Sequence, residues 1–153
     1  MILKTINKLL GIGTLLSTIG FIGSTVIQIF ARFFLASAPG WTEEASRLFF
    51  IYAMSFAAGL ALHDKYYVEL DVFYRKFSKK IKYIIDLFIQ ICTVLLFAIM
   101  GFYSLQYIQL GSTETSPSMR IPMSFAFVSI LIMSVTVVIY ALVEINRLNK
   151  NFK

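Results

Sequence analysis

Four long stretches free of Asp, Glu, Lys and Arg divide the chain: residues 9–31, 48–62, 87–113 and 121–143. They run for 23, 15, 27 and 23 residues. A helix needs roughly 20 mostly apolar residues to cross ~30 Å of hydrocarbon. Three stretches meet that length outright. The second meets it with its flanks, where Arg47 can extend its aliphatic stem along the apolar surface and keep its head in water. The bilayer core offers no water to backbone N–H and C=O groups, so only helices and closed barrels span it. A barrel would need many alternating segments of about ten residues, and these runs are continuous and too few. The pattern predicts an all-α integral membrane protein, a single four-helix domain over residues 1–153 with spans at about 9–34, 42–63, 85–110 and 121–145.

The polar breaks have their own structure. Pro39-Gly40 interrupts the chain after span 1, and Thr42 is placed as an N-cap with Glu43 and Glu44 in the first turn, where carboxylates favour the helix dipole. Trp41, the one tryptophan, falls at a membrane–water boundary, as indoles commonly do. Between spans 2 and 3, Phe73, Phe77, Ile81, Ile84 and Phe88 fall within an arc of about 80° at 100° per residue, with Arg75, Lys79 and Lys82 opposite. That spacing predicts a cytoplasmic amphipathic helix that lies on the membrane lipids and runs into span 3. Residues 68–72 alternate, so an extended piece before it stays open. Residues 111–122 form a polar loop containing Pro117 and Pro122.

Charge orients the spans. The net charge is +6, which could suggest nucleic acid, but the placement speaks against it. Eleven of the 14 basic residues precede span 1, lie between spans 2 and 3, or follow span 4; only Arg32, Arg47 and Arg120 fall on the other side. The positive-inside rule then puts both termini and the middle loop in the cytoplasm. Span 1 is read as retained rather than as a cleaved leader, because its apolar run far exceeds the usual 7–15 residues. Cys92, the single cysteine, excludes an intrachain disulfide.

Small residues recur where helices could approach closely: Gly13, Ser17, Gly20 and Ser24 in span 1, Ala53, Ala57 and Ala61 with Ser55 and Gly59 in span 2. Two readings stand. The stripe serves packing inside one four-helix bundle, or it docks a second subunit.

The chain is poor in catalytic chemistry. His63 is the only histidine, so neither paired haem ligands nor a metal cluster can be assembled around it. Gly11-x-Gly13 lies inside a span with no preceding strand, which removes the dinucleotide reading. No cofactor and no enzymatic activity are expected. A self-contained transporter usually keeps ionisable groups at mid-membrane despite a cost of ~2.5–3.5 kcal/mol or more each. Here Arg32, Glu43, Glu44, Arg47, Asp86 and Glu144 all flank spans. The densest polar group is Trp41-x-Glu43-Glu44-x-x-Arg47, whose charges share one helical face. It reads either as a helix start with a surface ion pair or as an interface with a partner.

This group, followed by Ala57-Ala58-Gly59, by Val68 and Asp71, and by Ser116-Pro117-Ser118-Met119-Arg120-Ile121-Pro122-Met123, resembles the DctQ-like small membrane subunit of tripartite ATP-independent periplasmic (TRAP) transporters. The resemblance covers about residues 5–145. It departs at Ser124, where the family often has an aromatic residue, and at Tyr67, where it often has a histidine. The resemblance implies a bacterial inner-membrane subunit with two protein partners, a large TRAP permease subunit that carries substrate and sodium and a periplasmic substrate-binding protein. It implies uptake of carboxylates such as sialic acid or C4-dicarboxylates. On this reading Trp41, Glu43, Glu44, Arg47 and Arg32 with the Gly13, Ser17, Gly20 and Ser24 stripe are candidate partner-interface residues, and Ser116, Pro117 and Arg120 are candidates for docking at the outer loop. The rival readings are a self-sufficient oligomeric four-span channel or small transporter, and a membrane assembly factor.

Overall fold

The computed structural model describes residues 2–35, 39–63 and 77–152. Four helices follow one another: α1 (Ile2–Phe34), α2 (Gly40–His63), α3 (Lys79–Gly111) and α4 (Ser124–Phe152). All four are long and apolar enough to cross a membrane. The 33 residues of α1 and of α3 make rods of about 50 Å at 1.5 Å per residue. α1 therefore starts well before its apolar run, and exposed Lys4 and Lys8 lie on its first turns.

Two boundaries differ from expectation. Thr42 is not the N-cap of α2, which starts at Gly40. Pro39, whose ring fixes φ, begins the turn, and its carbonyl accepts from both the backbone N–H of Thr42 (3.1 Å) and its hydroxyl (2.7 Å). Nor does one helix run through Phe77 into span 3. Phe77 and Ser78 lie outside the helix, and Ser78 is its extended N-cap, with the side-chain oxygen accepting from the Ile81 N–H. The rest of the expected amphipathic segment, with Arg75 and Phe73, falls outside the described residues, as do Tyr67, Val68 and Asp71.

The helices form an open row. α1 lies on α2, α2 also meets α4, and α4 meets α3, so α2 and α4 are central and α1 and α3 are flanks. α3 buries only Ser104 and Gly111, and large side chains such as Leu15 and Ile19 on α1 and Leu95 and Ile99 on α3 are more than half exposed. In lipid this costs little, because hydrocarbon tails are as apolar as the side chains and no hydrophobic force closes the row.

The seams are built from small residues. Gly13 and Gly20 sit under the rings of Phe56 and Phe49, where an added Cβ would meet ring carbons at 2.9 and 2.8 Å. A Cβ at Gly59 would meet Thr136 of α4 at 2.9 Å and Tyr140 at 3.3 Å. Several buried serine and threonine hydroxyls bond within their own helix. Ser24 donates to Gly20 O, Ser55 to Ile51 O, Ser104 to Gly101 O and Thr136 to Ile132 O, each inside its own helix. Satisfied locally, they act as small space-fillers that bring backbones together. Polar ties do cross between helices: Tyr52 Oη, midway along α2, donates to Phe125 O at the start of α4 (2.8 Å), and Tyr83 Oη to Asn149 Oδ1 (2.7 Å). At one end Tyr140 Oη donates to Asn7 Oδ1, and Asn7 Nδ2 lies 3.4 Å from His63 Nε2, linking α4, α1 and α2.

A candidate docking site where α2 meets the loop before α4

The two polar motifs of the sequence meet at one end of the row. The loop between α3 and α4 folds on itself: Ser116 N–H donates to Ile121 O (2.9 Å), Arg120 N–H to Ser116 O (3.1 Å) and Met123 N–H to Glu114 O (2.9 Å). Thr115 and Pro122 form an isolated antiparallel bridge. Arg120 closes the turn at φ 54°, a left-handed conformation that is uncommon outside glycine. The turn leaves the N–H groups of Ser118 and Met119 pointing at α2. Glu44 receives them, one on each carboxylate oxygen, both at 2.8 Å. Such charge-assisted bonds are stronger than neutral ones. Contact is close because α2 begins with Gly40, where a Cβ would stand 2.5 Å from Ser118 Oγ. Thr42, two residues on, is fully buried.

The two glutamates thus part company. Glu44 turns to the loop. Glu43 pairs with Arg47 one turn on, with both side chains at least half exposed. Beside this pair runs an open groove of about 340 Å³. α2 contributes Glu44, Arg47, Leu48 and Ile51; the loop and the start of α4 contribute Ser116, Pro117, Ile121, Pro122, Met123 and Ala126. Its walls are mostly apolar, with Glu44, Arg47 and Ser116 among them. Ser116 is only 8% exposed. Trp41 is half exposed at the head of α2.

Of the residues singled out in the sequence, the structure brings together Glu43, Glu44 and Arg47 with Ser116 and Pro117. Arg120 is exposed on the same loop, and Arg32 is exposed in the last turn of α1. Gly13, Ser17, Gly20 and Ser24 lie apart from this site. Gly13 and Gly20 are covered by α2 of the same chain, and Ser17 and Ser24 are buried. Sequence reasoning missed the grip of Glu44 on the loop backbone and the Asn7–Tyr140–His63 cluster. Neither leaves a local signal, since the partners are 56 to 133 residues apart. Among the described residues no group of three His, Cys, Asp or Glu side chains could hold a metal ion.

Fold and site together define a multi-pass α-helical membrane protein whose polar side chains mostly tie its own helices and loops together. The chain belongs to the DctQ component family of tripartite ATP-independent periplasmic transporters, whose family model matches residues 21–151. It is a transporter component of the inner membrane rather than an enzyme. A Haemophilus influenzae protein named as a TRAP transporter small permease protein is 25% identical over 135 residues, covering 88% of this chain and 82% of its own. An Oleidesulfovibrio alaskensis protein, the isethionate TRAP transporter permease protein DctMQ, is 27% identical over 89 residues, which are 57% of this chain and 14% of that one.

Proposed function

We propose that this chain is the small scaffold subunit of a sodium-coupled, binding-protein-dependent TRAP transporter for carboxylates such as sialic acid or C4-dicarboxylates. It stabilises the large permease subunit and helps dock the periplasmic binding protein. Both termini and the 64–78 connection are cytoplasmic, and the 112–123 loop is periplasmic. One observation carries this reading: Glu44 binds the α3–α4 loop to the head of α2, so the two motifs shared with the family resemblance form one surface. A folded surface of this kind, in a chain whose spans hold their acidic and basic groups near the ends, suits holding partners more than moving an ion. The DctMQ relative supports a permease as partner, because there the matched segment is 14% of a much longer permease chain.

The test is reconstitution. This subunit alone in liposomes should give no sodium-driven uptake of carboxylates. Co-expressed with the large permease, it should co-purify with it, and uptake should need both chains and the binding protein. Uptake by this chain alone would favour the self-sufficient small transporter instead.

A further inference from the structure

We propose that the start of α3 binds an anionic phospholipid, with the phosphate at Lys79 and Lys80 and an acyl chain along the exposed stripe below them. The proposal is independent of the partner readings above and needs only that α3 crosses the membrane. The charge-free run of this helix begins at Leu87. Residues 79–86 therefore stand in the headgroup layer, about 12 Å of helix at 1.5 Å per residue. Three of the first four are lysines, and the first turn holds no acidic residue. Cations so placed repel one another and oppose the helix dipole. Asp86, four residues after Lys82, offsets one of them. Lys79 and Lys80 are exposed and make no ion pair with a described residue. The adjoining end of α4 does not supply the missing charge: Glu144 lies 3.7 Å from Arg147, and Lys150 follows. Residues 64–78 carry three acidic and three basic side chains and leave the balance unchanged. The excess is positive, and it attracts an anionic lipid headgroup. Below the lysines, Ile84, Phe88, Ile91 and Leu95 recur at helical spacing, all exposed. Lys80 stands one turn before Ile84 on the same side. The stripe lies on the side of α3 away from α4, to which Gly101 is turned. From Ile84 to Leu95 it runs about 16 Å, close to the ~15 Å of one hydrocarbon leaflet. A cation above an apolar column one leaflet long matches a phospholipid, whereas an acidic protein segment in water would match only the upper part.

The experiment uses the full chain in native membranes, with a photo-crosslinking phenylalanine analogue in place of Phe88. Mass spectrometry should find an adduct with phosphatidylglycerol in excess of that lipid's share of the membrane. Lys79→Gln with Lys80→Gln should lower the adduct roughly fivefold for each lysine removed, and Arg at both positions should keep it. Lys4→Gln with Lys8→Gln on α1 should leave it unchanged. Equal loss from the α1 pair would show that overall charge gathers the lipid, and it would overturn the site. An adduct with another protein chain, or one that follows lipid abundance alone, overturns it as well. In a second arm, the purified protein is stripped of lipid in neutral detergent and given phosphatidylglycerol or glycerol 3-phosphate, which carries the phosphate without the chains. Thermal stabilisation by phosphatidylglycerol alone is expected. Equal stabilisation by glycerol 3-phosphate would leave a phosphate site and sink the role of the apolar stripe.

Discussion

Glu44 on α2 holds the backbone N–H of Met119 at 2.8 Å across 75 residues of sequence. Its other oxygen takes the N–H of Ser118. One acidic side chain thus supplies acceptors for two donors that the Ser116–Arg120 turn leaves free, and it sets where the loop sits over the groove. Replacing Glu44 with Ala should free both N–H groups, and Gln should restore only one acceptor. Hydrogen exchange at Ser118 and Met119 is expected to quicken by roughly an order of magnitude in the Ala variant, less in Gln, with α3 and α4 unaffected. Unchanged exchange at both amides would show that the loop holds its shape without Glu44.

Gly40 makes the same contact possible from the other side. Its missing Cβ leaves room for Ser118 Oγ at 2.5 Å. Gly40→Val should destabilise the subunit by about 1–3 kcal/mol, the usual cost of overpacking. Ser118→Gly should recover much of that loss. Thermal unfolding of the single and double variants in detergent gives the coupling between them.

The glycines of α1 should divide into two classes. Gly20→Leu drives a side chain into Phe49 and should cost about 1–3 kcal/mol. Gly23→Ala meets nothing within 4 Å and should be neutral or stabilising, since Ala is preferred to Gly in a helix by about 1 kcal/mol. The same unfolding assay separates them.

At the other end of the row, Tyr140→Phe removes the hydroxyl that α4 gives to Asn7 of α1. Interhelical hydrogen bonds in membranes average ~0.6 kcal/mol and reach ~1.7. A loss in that range is expected, with Asn7→Ala adding little on top of it.

Arg47→Ala should be nearly silent in the isolated subunit, because its pair with Glu43 is solvent-exposed and such pairs contribute about 0–1 kcal/mol. In the assembled transporter the same change should lower co-purification of the permease and uptake. Wild-type assembly by both Arg47→Ala and Glu43→Ala would reduce the pair to a surface feature of the helix start.

Orientation has a direct check. Exposed Lys79 opens α3 on the side to which eleven of the 14 basic residues were assigned. Lys79→Cys should resist an impermeant thiol reagent in intact cells and react after the membrane is opened. Labelling from outside would reverse the topology.

The sequence by itself determined the four spans, because hydrocarbon demands long uncharged helices and the charged residues mark where each run stops. It also placed Glu43, Glu44 and Arg47 on one helical face, since residues three and four apart along a helix are neighbours on its surface. Only the tertiary structure decided that the row stays open, because that depends on which small-residue seams meet. Gly13 and Gly20 were compatible with packing inside the bundle or with a partner, and the rings of Phe56 and Phe49 of α2 lie over them. Only the tertiary structure, likewise, turned Glu44 away from Arg47. Helical spacing placed the two on one face, but the paired N–H groups of Ser118 and Met119 offer a carboxylate better geometry than one mobile guanidinium, and no local pattern tells a helix which distant loop will arrive with them.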